Sequence, residues 1–154
     1  MPDIAIRASL VSLVALREVG AGYEVLLLKR SQSLAGTWCQ IAGSLEDGET
    51  AWQAALRELS EETGLTPRAL YSADTCEQFY TAATDTITIA PVFVAFVDRA
   101  APVTLNAEHS DFRWVGFEDA AQMVSFGGQR RVLRWIEDEF IRRRPSDHLQ
   151  VDMG

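Results

Sequence analysis

The chain has 154 residues, of which 22 are acidic and 14 basic, for a formal net charge of −8. That length suits one ordinary domain with a core of its own, while the acid surplus leaves no basic face for a nucleic acid and the apolar runs are too short to cross a bilayer. No basic-then-apolar leader opens the chain, and Cys39 and Cys76 have neither metal-ligand nor disulfide spacing, so a cytoplasmic protein with reduced thiols is expected.

Leu10 to Leu16 is almost wholly apolar and reads as a buried strand. Glu18 to Gly22 reads as a turn, and Tyr23 to Arg30 as a second strand that can pair with the first as a hairpin. Ser31 to Thr37 is a loop, and Trp38 to Ala42 one short strand. Thr50 to Thr63 is the best-specified helix. Thr50 and Gln53 have capping-box spacing, Gly64 stands where a left-handed cap is wanted, and Trp52, Ala55, Leu56 and Leu59 form an apolar stripe.

Leu70 to Val97 reads as strands, with Pro91 confined to an edge, bend or bulge. A loop follows over Ala100 to Ala107, then a short strand over Phe112 to Val115. Glu118 to Val124 and Gln129 to Arg142 read as helices, the latter burying Val132, Leu133, Ile136 and Phe140. Residues 1–144 make one domain, and 145–154 read as a polar, frayed tail. This order suggests an α/β fold, a mixed sheet with helices on its faces.

Glu58, Glu61 and Glu62 lie at i, i+3 and i+4 of the helix, within an arc of roughly 100° and on a different side from the apolar stripe. Carboxylates so close repel one another, and a hard divalent cation relieves the conflict. A solvated acidic face is the competing reading of the helix alone. The flanks extend the pattern: Gly43, five residues, Glu49, seven residues, Arg57-Glu58-Leu59, one residue, Glu61-Glu62, one residue, Gly64-Leu65. So many fixed positions arise by accident in roughly one chain per million of this length.

The segment Gly43 to Leu65 is identified as the Nudix box of the Nudix hydrolase family, with every specified position filled. The resemblance implies the Nudix fold, a mixed sheet sandwiched between helices, and hydrolysis of a small nucleoside-diphosphate-linked molecule. It also implies magnesium, with manganese as a substitute, and admits a homodimer. Glu58, Glu61 and Glu62 match the catalytic, metal-binding glutamates, Gly43 a glycine whose carbonyl joins the metal shell, and Glu49 with Arg57 a pair that ties loop to helix. An arginine fork suits that last task. Ile41-Ala42 replaces the Pro-Gly common before the box, and Ser44 replaces a second glycine. The general base is open between Glu62, Glu108 and Asp85.

Substrate contacts are expected at Arg30 and Lys29, which end a strand ahead of the box, and at Glu108. Trp38, Phe79, Tyr80 and Trp114 are candidates to stack on a base, although sheet aromatics more often fill cores. His109 is either a substrate contact or a structural histidine. Trp38 to Glu49 resembles bacterial dihydroneopterin triphosphate diphosphatases, and Glu108 to Val115 a stretch shared with diadenosine tetraphosphate hydrolases. The leading expectation is a nucleoside or pterin triphosphate cut to monophosphate and pyrophosphate. The alternatives are a dinucleoside polyphosphate hydrolase and a non-catalytic binding module. Binding modules commonly lose box glutamates, and this chain keeps them all.

Overall fold

The computed structural model describes residues 1–154. It contains β1 (Ala5–Arg7), β2 (Leu10–Val19), β3 (Gly22–Arg30), β4 (Trp38–Cys39), β5 (Ile41–Ser44), α1 (Ala51–Thr63), β6 (Ala69–Thr81), β7 (Thr86–Phe96), β8 (His109–Val115), α2 (Phe117–Met123) and α3 (Gly127–Ile136). A π-helical stretch, Glu137–Arg142, extends α3. No helix is long and apolar enough to cross a membrane.

The strands form one mixed sheet: β7 pairs in parallel with β1 and β2, and the remaining pairings are antiparallel. β2 and β3 are the expected hairpin, closed by a tighter turn than the sequence suggested, since Val19 already pairs with Gly22. Period-2 alternation then sends side chains to both faces. Leu13, Ala15, Leu26, Leu28, Phe93 and Ala95 pack under α1, beside Ala54, Ala55 and Leu59. Val14, Leu16, Val25, Leu27, Val92 and Val94 pack under α2 and α3, beside Ala120, Val132, Leu133 and Ile136. Phe140 joins that second layer from the π-helical turn, where a continuous α-helix was expected.

Two further departures concern Trp38 to Ala42 and the tail, whereas Pro91 sits at an irregularity of the ladder as expected. Trp38 to Ala42 is two strands rather than one. β2 and β3 stay paired only as far as Leu16 and Val25, then splay. Into the gap β4 pairs with β3 through Trp38 and Cys39, and β5 pairs with β2 through Ile41 to Ser44. Gln40 is the crossing point. Pro91 lies opposite a register shift in β6 between Ser72 and Cys76, so its missing N–H falls where the ladder is already broken. The tail is not frayed: Val151 N–H donates to the Leu70 carbonyl at 2.8 Å, and Gln150 bridges to Tyr71.

Candidate active site

α1 starts and stops as its sequence dictates. The Thr50 hydroxyl accepts from Gln53 N–H, the Gln53 side chain accepts from Thr50 N–H, and Gly64 caps the C-terminus at φ 73°. Its buried face is not the one expected. Ala54, Ala55, Glu58, Leu59, Glu62 and Thr63 are buried, while Trp52 and Leu56 are only half-buried. The acidic row therefore overlaps the buried stripe instead of standing apart from it. Gly43 of β5 makes room for this: a Cβ there would lie 2.1 Å from the Glu58 carboxyl. The close approach, and not an unusual φ, is what calls for glycine at this position.

Arg57 organises the box. Its Nε and Nη2 donate to the two oxygens of Glu49 at 2.7 and 2.9 Å. Nη2 also donates to the Ser44 carbonyl at 2.8 Å, and Nη1 donates to Glu58 at 2.8 Å and Glu61 at 3.2 Å. One planar cation thus gathers the loop before the helix, a strand end and two helix carboxylates. The Arg57 guanidinium holds Glu49 below the usual carboxylate range. Glu58 is pushed up by burial, against the pull of Arg57.

Glu62 has a different environment. Its residue is 2% exposed, and its Oε2 has no hydrogen-bond partner. Burial first, then the charges of Glu58 and Glu108, push its carboxyl up to about 9. It opens on a cleft of about 230 Å³ lined by Arg30, Gln32, Ser33, Cys39, Gln40, Ala42, Glu62, Glu108 and His109. The cleft sits where β2 and β3 splay. The ligand atoms of Glu62, Glu108 and His109 lie within 4.8 Å of one another. A buried carboxylate oxygen without a partner, facing a second carboxylate, is a donor set that fits a divalent cation.

The structure thus brings Glu62, Glu108, His109 and Arg30 to one cleft, with Glu58, Glu61, Glu49 and Arg57 tied together beside it. Arg30 is braced by the Ser33 carbonyl at 2.8 Å and by the Ser33 hydroxyl, not by a carboxylate. Lys29 follows Leu28 on β3, and alternation turns it to the opposite face of the sheet, away from the cleft lining. Asp85 is in the β6–β7 turn, where it accepts from the Tyr80 hydroxyl at 2.7 Å. Phe79 and Tyr80 are exposed on that same hairpin. Trp38 lies under the Arg113 guanidinium, and Trp114 under that of Arg17. None of these four aromatics lines the cleft.

Sequence reading missed Gln40. Its side chain donates to Ser12 at 3.0 Å and Glu77 at 3.1 Å and accepts from Gln129 at 3.1 Å, a buried polar network that pins the crossing between β4 and β5. The only sequence signal was polar residues within strand runs.

Comparison with known proteins gives a family. The NUDIX domain model matches residues 7–136. The asymmetrical bis(5′-nucleosyl)-tetraphosphatase of Caenorhabditis elegans is 30% identical over 124 residues, which are 79% of this chain and 88% of that protein. An octanoyltransferase of Myxococcus xanthus is 35% identical over 126 residues, 80% of this chain, but the chain spans only 35% of its length. Among solved structures, a C. elegans Ap4A hydrolase binary complex superposes with a TM-score of 0.75 at 27% identity, covering 86% of this chain and 96% of that one.

Proposed function

The chain belongs to the NUDIX domain family and is a hydrolase of phosphoric anhydride bonds, and from that premise we propose that it works with magnesium on a dinucleoside polyphosphate of the diadenosine tetraphosphate kind. The observation that carries the chemistry is the buried Glu62 carboxyl, whose Oε2 has no hydrogen-bond partner, opening on a cleft rimmed by the Arg30 guanidinium. The substrate class rests on the tetraphosphatase relative, which matches over most of both chains. The Myxococcus name is not carried over, since this chain accounts for about a third of that protein.

Each residue has a task in this reading. Glu58, Glu61 and Glu62 hold the cation, with the Gly43 carbonyl beside them. A divalent cation, when bound, neutralises the polyphosphate charge and makes water a better nucleophile at neutral pH. Arg30 binds phosphate oxygens, and its brace on Ser33 keeps the fork aimed into the cleft. Glu108, the exposed member of the cluster, accepts on a carboxylate oxygen the proton that the attacking water gives up, and passes it to solvent. Arg57 and Glu49 touch no substrate; they fix the carboxylates in place, which is most of what phosphoryl transfer asks of a protein.

The triphosphate reading is kept as second choice by the likeness of Trp38 to Glu49 to the pterin enzymes. Product analysis decides between the two. Purified protein with magnesium is offered nucleoside triphosphates, dihydroneopterin triphosphate, diadenosine polyphosphates, sugar nucleotides and triphosphorylated RNA. Adenosine triphosphate released from diadenosine tetraphosphate is the expected result. Pyrophosphate plus monophosphate from a triphosphate, with dinucleotides untouched, overturns the substrate assignment. No turnover of any of them by folded, metal-loaded protein favours a binding module.

A further inference from the structure

The box supplies oxygen donors only, yet the cleft is also lined by an imidazole, a nitrogen ligand for metals. His109 begins β8 and is held there by the pairing of Arg30 with His109 and by a bond from its N–H to the Asn106 carbonyl at 3.4 Å. Its ring Nε2 faces the Cys39 sulfur at 4.0 Å, and its Nδ1 is buried with no hydrogen-bond partner. The other buried side-chain atom without a partner is Oε2 of Glu62. Orphaned buried polar atoms are rare in folded proteins and each calls for a reason. Here both belong to residues of one cluster, each of which offers a ligand atom within 4.8 Å of those of the others. Two donors at about 2.1 Å from a single ion stand roughly 3 to 4.2 Å apart, so a small side-chain adjustment brings a ligand atom of Glu62 and one of His109 onto one cation.

We propose that His109 gives an imidazole nitrogen to the divalent cation held against Glu62, with the Glu108 carboxylate beside it. This rests on the metal-dependent reading above and deepens it. Magnesium is served by oxygen and water, whereas imidazole suits later transition-series cations such as cobalt, nickel or zinc. The cleft then binds a transition-series cation more tightly than magnesium, and the difference depends on His109.

The protein has two histidines, His109 and His148, and the second lies in the tail. Nitrogen-15 NMR of the imidazole rings in the wild-type protein during a titration with zinc(II), which is diamagnetic, reads the proposal without any mutation. The His109 imidazole signals shift or broaden at the first equivalent, and those of His148 do not. In parallel, calorimetry compares cobalt and magnesium binding to wild type and His109→Ala, with circular dichroism confirming the fold. The variant loses about tenfold or more in cobalt affinity, while magnesium affinity changes little. Zinc binding with unchanged His109 nitrogen signals overturns the proposal and leaves the metal-dependent reading standing. Failure of the folded protein to bind any of these cations overturns both.

Discussion

Substituting alanine for Gly43 tests how the box is assembled. The new Cβ would lie 2.1 Å from the Glu58 carboxyl, far inside contact distance, and β5 is paired to β2 through Val11 and cannot simply retreat. Glu58 must move, and its bond from Arg57 at 2.8 Å is then lost. A hydrogen bond between charged groups contributes about 1.5–3 kcal/mol. Replacing glycine within a strand returns about 0.5–1 kcal/mol. The net cost is therefore roughly 1–2 kcal/mol, or about 2–8 °C in melting temperature for a chain of this size. Glu58 is also displaced from the cation, so magnesium affinity falls along with stability. Thermal melts and calorimetric magnesium titrations measure the two effects. In a Glu58→Ala background the clash has no target, and Gly43→Ala becomes neutral or slightly stabilising. Equal destabilisation in both backgrounds, or wild-type magnesium binding by Gly43→Ala alone, refutes the steric reasoning.

Arg30→Ala raises KM for the polyphosphate substrate about tenfold or more with the fold intact, whereas Lys29→Ala, on the other face, leaves KM within about twofold; steady-state kinetics on both variants would expose an error if their effects were reversed. Glu62 binds its proton more tightly in the fold, up to about 9 against the ordinary 4.5, so its contribution to metal-free stability is full below the lower value and is lost as pH rises through the upper one. Denaturant unfolding in chelator should show that decline in wild type and a flatter profile in Glu62→Gln. The same Glu62→Gln variant, loaded with magnesium, turns over at least ~100-fold more slowly, and near-normal turnover would remove Glu62 from the mechanism. Deleting residues 146–154 removes the bond from Val151 to Leu70 and the half-buried Leu149 and Val151, at a cost of about 1–3 kcal/mol; an unchanged melting temperature would mean that the tail contributes nothing.

The local signals were legible because their causes are local. Thr50, Gln53 and Gly64 bound the helix through their own hydrogen bonds and backbone angles. The nearly unbroken apolar runs of β2 and β3 announced strands because both faces of the sheet are covered. The box spacing fixed which glutamates share one helix. What it could not say is which way they face. Glu58 and Glu62 are buried and Glu61 exposed because Gly43, on another strand, leaves room beneath the helix and Arg57 gathers the rest.

The Trp38 to Ala42 segment read as one strand because its residues favour extended backbone. Its division at Gln40 follows from the splay of β2 and β3, a property of their pairing and not of the segment. Lys29 and Arg30 are neighbours in sequence, and only the pleat decides that one meets the cleft and the other does not. The sequence by itself determined the family, the helix and the acidic residues, since those depend on residue type and short spacing. The union of Glu62 with Glu108 and His109, which come from opposite ends of the chain's middle half, was decided by the tertiary structure, because β8 pairs with β3 and carries them to the mouth of the splay.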